Sequence, residues 1–253
     1  MCKLLEGKVC VITGGGQGVG LGIAQEFIEQ GARVVITGRR QATLDEATAT
    51  LGPKSSGIVA DVSKLAEMEA MFKAVMAKYG RLDTVVANAI TNANGPLGSI
   101  TEEQFDRTFN TNAKGVLFSI QPALKLLPRG GTIVIIGSTA SISPPPGMSL
   151  YGGAKAAVRC MVRSWIQDIK GSGVRINILS AGAVDTPSLR SALESASGAD
   201  KVEPAVKSMG EGNPLGRLAA PREIGKAAVF LASDASSYIT GVELFADGGM
   251  AQV

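Results

Sequence analysis

Tyr151 and Lys155 stand four residues apart at the head of a helix-like segment, so their side chains share one face. A free phenol ionises at about pH 10 and is a poor proton shuttle at neutrality, but a cation one turn away favours the phenolate and lowers that value. Ser138 follows the apolar run Ile133–Ile136, where its hydroxyl can orient a carbonyl beside the tyrosine. Taken alone, a Tyr/Lys pair at this spacing is most often an ordinary surface pair. The composition gives it weight, because the chain contains no histidine. Ser-His-Asp hydrolysis, Cys-His chemistry and His-ligated catalytic zinc are excluded, and acid/base work near neutral pH falls to Tyr, Lys, Asp, Glu or Cys.

A second group of residues has the chemistry of phosphate binding. The run Thr13-Gly14-Gly15-Gly16-Gln17-Gly18-Val19-Gly20 ends an apolar segment and leads at once into a helical pattern. Glycines there let the backbone turn tightly and approach a pyrophosphate, which is drawn to the amide groups at the helix start. A glycine-rich loop by itself is also what a flexible turn looks like; its place after the first strand of an alternating chain favours a dinucleotide. Further on, Thr37-Gly38-Arg39-Arg40 closes the second strand. A carboxylate at Gly38 would bind a ribose 2′-hydroxyl, whereas two guanidinium forks suit a 2′-phosphate. Cations at a helix start oppose its dipole, so an external anion accounts for them better than solvation does.

These residues need a frame. Short β-branched runs at Lys8–Thr13, Arg33–Thr37, Gly57–Ala60, Thr84–Ala87, Thr132–Gly137, Val174–Leu179 and Val242–Phe245 alternate with helical patterns near 19–30, 41–51, 64–79, 101–127, 150–170 and 221–232. Nearly continuous apolar strands are those of a parallel sheet covered on both faces. The pattern predicts one α/β domain over 1–253, a doubly wound seven-stranded parallel sheet of the Rossmann-like kind with ligands at the carboxyl ends of its strands. Thr101 through Gln104 reads as a capping box. Residues 187–213 are weakly patterned, and a long excursion of this sort is expected to be a substrate lid.

Bulk properties narrow the partners. Net charge is only +3 with no basic stripe, which argues against nucleic acid, and no apolar run reaches the roughly 18 residues of a membrane span. The segment Met1–Lys8 lacks the apolar stretch of a signal peptide, and Cys2, Cys10 and Cys160 have no metal-site spacing. A cytoplasmic protein with reduced thiols and no bound metal is expected.

The motifs, in order, resemble those of the short-chain dehydrogenase/reductases, and the resemblance covers essentially the whole chain. To the glycine loop it adds Asp61 and Val62 as the adenine-side turn, Ala87-Asn88-Ala89-Ile90 in place of N-N-A-G, and Asn112 as the active-site asparagine. Ser138, thirteen residues before Tyr151, and Lys155 complete a tetrad, and Ser180 through Pro187 matches the nicotinamide-side segment with Val184 and Thr186. The resemblance implies an NADP(H)-dependent reductase of ketones or aldehydes, acting reversibly as an alcohol dehydrogenase. Tyr151 would donate the proton, Ser138 would hold the carbonyl, Lys155 would hold the ribose and depress the tyrosine pKa, and Asn112 would seat a water linking Lys155 to solvent. Gly14, Gln17, Gly18, Val19, Gly20, Gly38, Arg39, Arg40 and Asn88 would complete the cofactor site. The chain departs from the family pattern at Ala87, Ile90 and Ala181; a β-branched Ile90 cannot take positive φ cheaply, so its turn is expected to be rebuilt.

Ile90, Ser138, Met148, Ala183 and Leu189 are expected to line a substrate pocket. The uncharged loop Thr139–Leu150 points to neutral, apolar ketones, although Arg190, Lys201 and Lys207 in the lid leave an anion anchor open. A 3-oxoacyl-(acyl carrier protein) reductase shares fold and tetrad, but only Lys125 and Arg129 offer such a carrier a basic landing surface. A nucleotide-sensing regulator would be expected to lose part of the tetrad. The small residues Gly152, Gly153, Ala156 and Ala157, with the segment Gly241–Val253, fit packing between subunits or within one; the family resemblance implies a homotetramer.

Overall fold

A computed structural model describes residues 3–92 and 95–251; Cys2 and Val253 lie outside the described residues. Seven strands form one parallel sheet: β1 Val9–Thr13, β2 Arg33–Gly38, β3 Ser55–Val59, β4 Thr84–Ala87, β5 Thr132–Ser138, β6 Arg175–Ala181 and β7 Glu243–Ala246. They lie in the order β3-β2-β1-β4-β5-β6-β7. Side chains alternate between two cores because strand residues point to opposite faces. Cys10, Ile12, Val34 and Ile36 pack with α1 (Gly18–Glu29), α2 (Gln41–Leu51) and α9 (Pro221–Ala232). Val11, Val35, Val85 and Ile133 pack with α3 (Leu65–Tyr79), α5 (Gly115–Ile120) and α6 (Ser149–Asp168) on the other face. The expected doubly wound sheet is therefore present, with the strand order reversing between β1 and β4, where such sheets open a crevice at their carboxyl ends.

Two expectations need revision. The pattern at 101–127 is not one helix. It breaks into α4 (Glu102–Phe109), a π-helical turn at Asn110–Lys114, α5, and a 3-10 turn at Ala123–Lys125. Gly115 passes so close to Val62 that an added Cβ would lie 2.6 Å from its Cγ2, and Pro122 has no N–H to extend α5. The capping box is as read: Thr101 N–H donates to Gln104 Oε1 at 2.9 Å and Gln104 N–H to Thr101 Oγ1 at 3.2 Å. Second, 187–213 is largely helical, with α7 at Pro187–Ser197, a 3-10 turn at Ala199–Lys201 and α8 at Val202–Glu211. Thr186 caps α7 by accepting from Leu189 N–H at 3.2 Å. These helices escape a reading based on hydrophobic periodicity because they bury almost nothing; Gly210 is the single buried residue of α8.

Candidate active site

The carboxyl ends of β1 and β4 meet through one amide. Asn88 Nδ2 donates to the carbonyls of Thr13 and Gly14 at 2.9 and 3.1 Å. Thr13 Oγ1 in turn accepts from the N–H groups of Asn88 and Ala89 at 3.0 and 3.1 Å. Thr13 opens the glycine motif, but a hydroxyl that shapes the loop from below leaves no mark in residue spacing. Above this floor lies a cavity of about 600 Å³, within the range of cofactor sites, bordered by the glycine loop, Gly38–Arg40, Asp61, Val62 and Asn88–Ile90.

The donors in this cavity suit a dinucleotide. Gly14 and Gly18 take the left-handed region, φ +65° and +55°, and a Cβ on Gly20 would come within 2.5 Å of Asn88 Nδ2. The loop must therefore be bare. Gln17 stands before α1 without capping it, so its side chain does not occupy the amides of the first turn. Thr37 Oγ1, on a residue that lines the cavity, is buried without a hydrogen-bond partner. Arg39 and Arg40 are exposed, and neither is in an ion pair among the described residues. Burial pushes the Asp61 carboxyl up, but the N–H and hydroxyl of Ser63, with Arg39 and Lys64, outweigh it and hold it below its ordinary value. Ile90 is half exposed at the rim, and no non-glycine residue among the described ones has positive φ, so the turn after Asn88 is rebuilt without one.

From Ile90 the chain runs to Thr91, where the tetrad begins. Asn112 sits fully buried in the π-helical turn and grips the Thr91 backbone at both ends: Nδ2 donates to its carbonyl at 2.8 Å, and Oδ1 accepts its N–H at 2.9 Å. Its side chain is thus engaged, and the water expected there would have to use its backbone carbonyl. Ser138 ends β5 and starts a 3-10 turn, with its Oγ accepting Ala140 N–H at 3.2 Å. Tyr151 and Lys155 lie on the first turns of α6, both buried. The α6 start packs tightly on the Ser138 loop, since a Cβ on Gly152 would lie 2.6 Å from the Ala140 carbonyl and 2.8 Å from Pro144. Gly152 thus serves packing within the subunit, while Gly153 stays exposed.

The electrostatics depart from what the resemblance implies. Burial raises the Tyr151 phenol above its ordinary value, with the hydrogen bond to Ser138 pulling the other way. The same burial pushes Lys155 down to about 8. Lys155 Nζ donates to the Ile136 carbonyl at 2.6 Å and lies 5.7 Å from the centre of the tyrosine ring. The expected lowering of the phenol pKa by Lys155 is therefore absent among the protein's own groups; burial raises it, and only the Ser138 hydrogen bond opposes that.

The expected substrate wall is only partly assembled. Ile90 borders the large cavity, whereas Ala183 faces a second one of about 480 Å³ beside Asn213, Leu215 and Asp247. The reason is local: the Ala183 carbonyl accepts Ala219 N–H at 3.1 Å, and Val184 bridges to Ala219 with its side chain in the core. Any contact of Val184 with a cofactor must come from its backbone. Met148 and Leu189 are half-buried at the starts of α6 and α7, and neither lines the large cavity. Thr186 does line it, although its hydroxyl is engaged as the cap of α7. Arg190 forks onto Asp185 at 2.7 and 2.9 Å and also pairs with Glu203, so it is tied within the excursion.

Residues 14–251 match a family model described as enoyl-(acyl carrier protein) reductase. The oxidoreductase asL5 of Sarocladium schorii is 44% identical, covering 98% of both chains. The hydroxynaphthalene reductase-like protein Arp2 of Metarhizium guizhouense is 34% identical over 98% of this chain and 96% of its own. Among solved structures, levodione reductase superposes with a TM-score of 0.92 at 28% identity, covering 98% of this chain and 99% of that one.

The cleft floor offers a direct test. Asn88→Ala leaves the Thr13 and Gly14 carbonyls without their side-chain donor and should destabilise the fold by about 1–3 kcal/mol. Thermal denaturation measures this, and an unchanged melting temperature would contradict the role given to Asn88.

Proposed function

Because the chain belongs to the short-chain dehydrogenase/reductase family, whose members are nicotinamide-dependent oxidoreductases, we propose that it is an NADP(H)-dependent carbonyl reductase acting on neutral, largely apolar ketones. The observation that carries this is the buried Tyr151 hydroxyl, hydrogen-bonded to Ser138, with Lys155 one turn along the same helix. A bound nicotinamide supplies or accepts the hydride. The glycine loop would hold its pyrophosphate, Asp61 and Val62 the adenine, Arg39 and Arg40 the 2′-phosphate, Lys155 the ribose, and Asn88, Val184 and Thr186 the nicotinamide end. Ser138 donates a hydrogen bond to the substrate carbonyl oxygen, and Tyr151 gives that oxygen its proton. Lys155 keeps a positive charge beside the phenolate left behind, and the Asn112 backbone carbonyl would seat the water that returns a proton.

The neutral-substrate reading draws on the ion pairs of Arg190, which leave that guanidinium no free fork for a substrate carboxylate. Lys207 lies 3.8 Å from Glu211. Carrier-bound thioesters are the runner-up. Of the two basic residues that would meet an acidic carrier, Arg129 is folded back onto the Gly171 carbonyl at 3.0 Å. Assembly as a homotetramer is part of the proposal; Phe105, half exposed and stacked on Phe109 at 4.5 Å, offers an apolar patch for it.

Four measurements test this. Tyr151→Phe should lower kcat by about 10²–10⁴-fold with cofactor binding intact, because it removes a transferable proton and little packing. In the native protein the protonated phenol is the donor and burial extends its range upward. Reduction should therefore hold through neutral pH and decline from about pH 8, where Lys155 loses its charge, while alcohol oxidation, which needs the phenolate, should climb only above the ordinary phenol range. A reduction rate already falling below neutrality would contradict the assignment.

NADPH should exceed NADH in kcat/KM by about ten- to a hundredfold or more, since each charge-assisted bond to the 2′-phosphate contributes about 1.5–3 kcal/mol. Gly38→Asp combined with Arg39→Leu should move the preference toward NADH, and equal use of both cofactors by the native protein would sink the reading. Finally, NADPH oxidation is compared across neutral ketones, keto acids and an acyl thioester. Keto acids or the thioester outpacing every neutral ketone by about tenfold, a margin one unpaired buried charge can produce, would refute the apolar-substrate reading.

A further inference from the structure

Glu243, the first residue of β7, sits opposite Ile178 of β6 on the face that α6 covers. Its side chain is only 11% exposed. Oε1 accepts from Ser180 Oγ at 2.7 Å and from Ser141 Oγ at 3.1 Å. Oε2 lies 2.5 Å from Arg159 Nε, a close ion pair whose angle falls outside that of a hydrogen bond. Each of these partners adjoins a member of the tetrad. Ser141 closes the 3-10 turn that Ser138 begins. Ser180 pairs in register with Gly137, the residue before Ser138, and its hydroxyl occupies the space that a Cβ on Gly137 would need. Arg159 follows Lys155 by one turn and Tyr151 by two, so the three side chains occupy successive turns of α6 toward the sheet.

A carboxylate so nearly removed from water is costly unless well partnered, and an apolar residue at the start of an edge strand would close the sheet without that cost. Packing alone therefore gives no reason for an acid here. We propose that Glu243 is a positioning residue for the proton-donor site: by gripping Ser141, Ser180 and Arg159 together, it fixes the Ser138 turn relative to the helix that carries Tyr151. The proposal rests on the roles assigned above to Tyr151 and Ser138. Without the carboxylate, the two serine hydroxyls and the guanidinium lose their common partner, and turn and helix are free to shift against each other. A displacement of 1 Å between reacting groups is enough to slow catalysis about 10²-fold.

The test uses the full-length protein, with ketone reduction at saturating substrate and the NADPH Kd from nicotinamide fluorescence. Glu243→Ala should lower kcat by about 10- to 100-fold while Kd stays within about threefold, since neither Glu243 nor any of its three partners lines the cofactor cleft. Glu243→Gln, which keeps an acceptor for both serines but loses the ion pair to Arg159, should fall between Glu243→Ala and the native protein. Wild-type kcat in Glu243→Ala overturns the proposal. So does a parallel loss of kcat and cofactor affinity, which is what a general structural role would produce. If Glu243→Ala does not fold, Ser141→Ala and Ser180→Ala decide: each should slow turnover several-fold at unchanged Kd, and wild-type kcat in both overturns the proposal. Tyr151→Phe, run alongside, separates the two levels. An active Tyr151→Phe defeats the reading of the site, whereas an inactive one beside a fully active Glu243→Ala defeats only the role of Glu243.

Discussion

The junction of β1 and β4 bears on every part of the site. Helices leave these adjacent strands toward opposite faces of the sheet, so the carboxyl ends part and a crevice opens between them. Parting strands expose carbonyl and N–H groups that would otherwise be unpaired, and Asn88 with Thr13 satisfies them. The clip sets the height of the glycine loop, brings Gly20 against Gly14, and aims the chain after Asn88 toward Thr91, which Asn112 then holds. The phosphate-binding end and the proton-donor end of the crevice thus share one hydrogen-bonded floor.

Across that floor the two ends are solvated very differently. Arg39 and Arg40 stand in water, where a charge is cheap and screened by salt. Lys155 and Tyr151 are buried. Keeping the Lys155 ammonium charged opposes folding by about 3 kcal/mol, a penalty present in full below about pH 8 that fades as pH rises from there to its ordinary value. The hydrogen bond to Ile136 offsets part of this. A buried cation retained at such expense is a mark of function more than of stability.

The fold was largely legible because buried parallel strands write themselves as apolar runs: VCVIT at β1 and TIVIIGS at β5 are nearly all core. The glycine loop and the Tyr151/Lys155 spacing stand out in the sequence for a different reason, since each is short and local. What escaped was either non-local or unpatterned. Thr13 acts through a bond to a residue 75 positions away, and Glu243 joins β7 to segments 63 and 102 positions earlier, distances at which spacing carries no information. The π-helical turn at Asn110–Lys114 depends on the closeness of Gly115 to Val62, again a tertiary fact. Ala183 was misplaced because adjacency in sequence to the nicotinamide-side segment does not say which side of the chain a residue faces.

The excursion formed by α7 and α8 is helical yet almost without buried apolar side chains, held instead by a cap at Thr186 and the ion pairs of Arg190. Mutational drift in such a segment is hardly policed by the core, since a change of side chain there opens no cavity and strands no strand. The sheet and its clip can therefore stay fixed through evolution while the excursion explores new surfaces. In this architecture the integrity of the sheet and the surface that the excursion presents are heritable almost separately, and one scaffold can acquire new surfaces without being rebuilt.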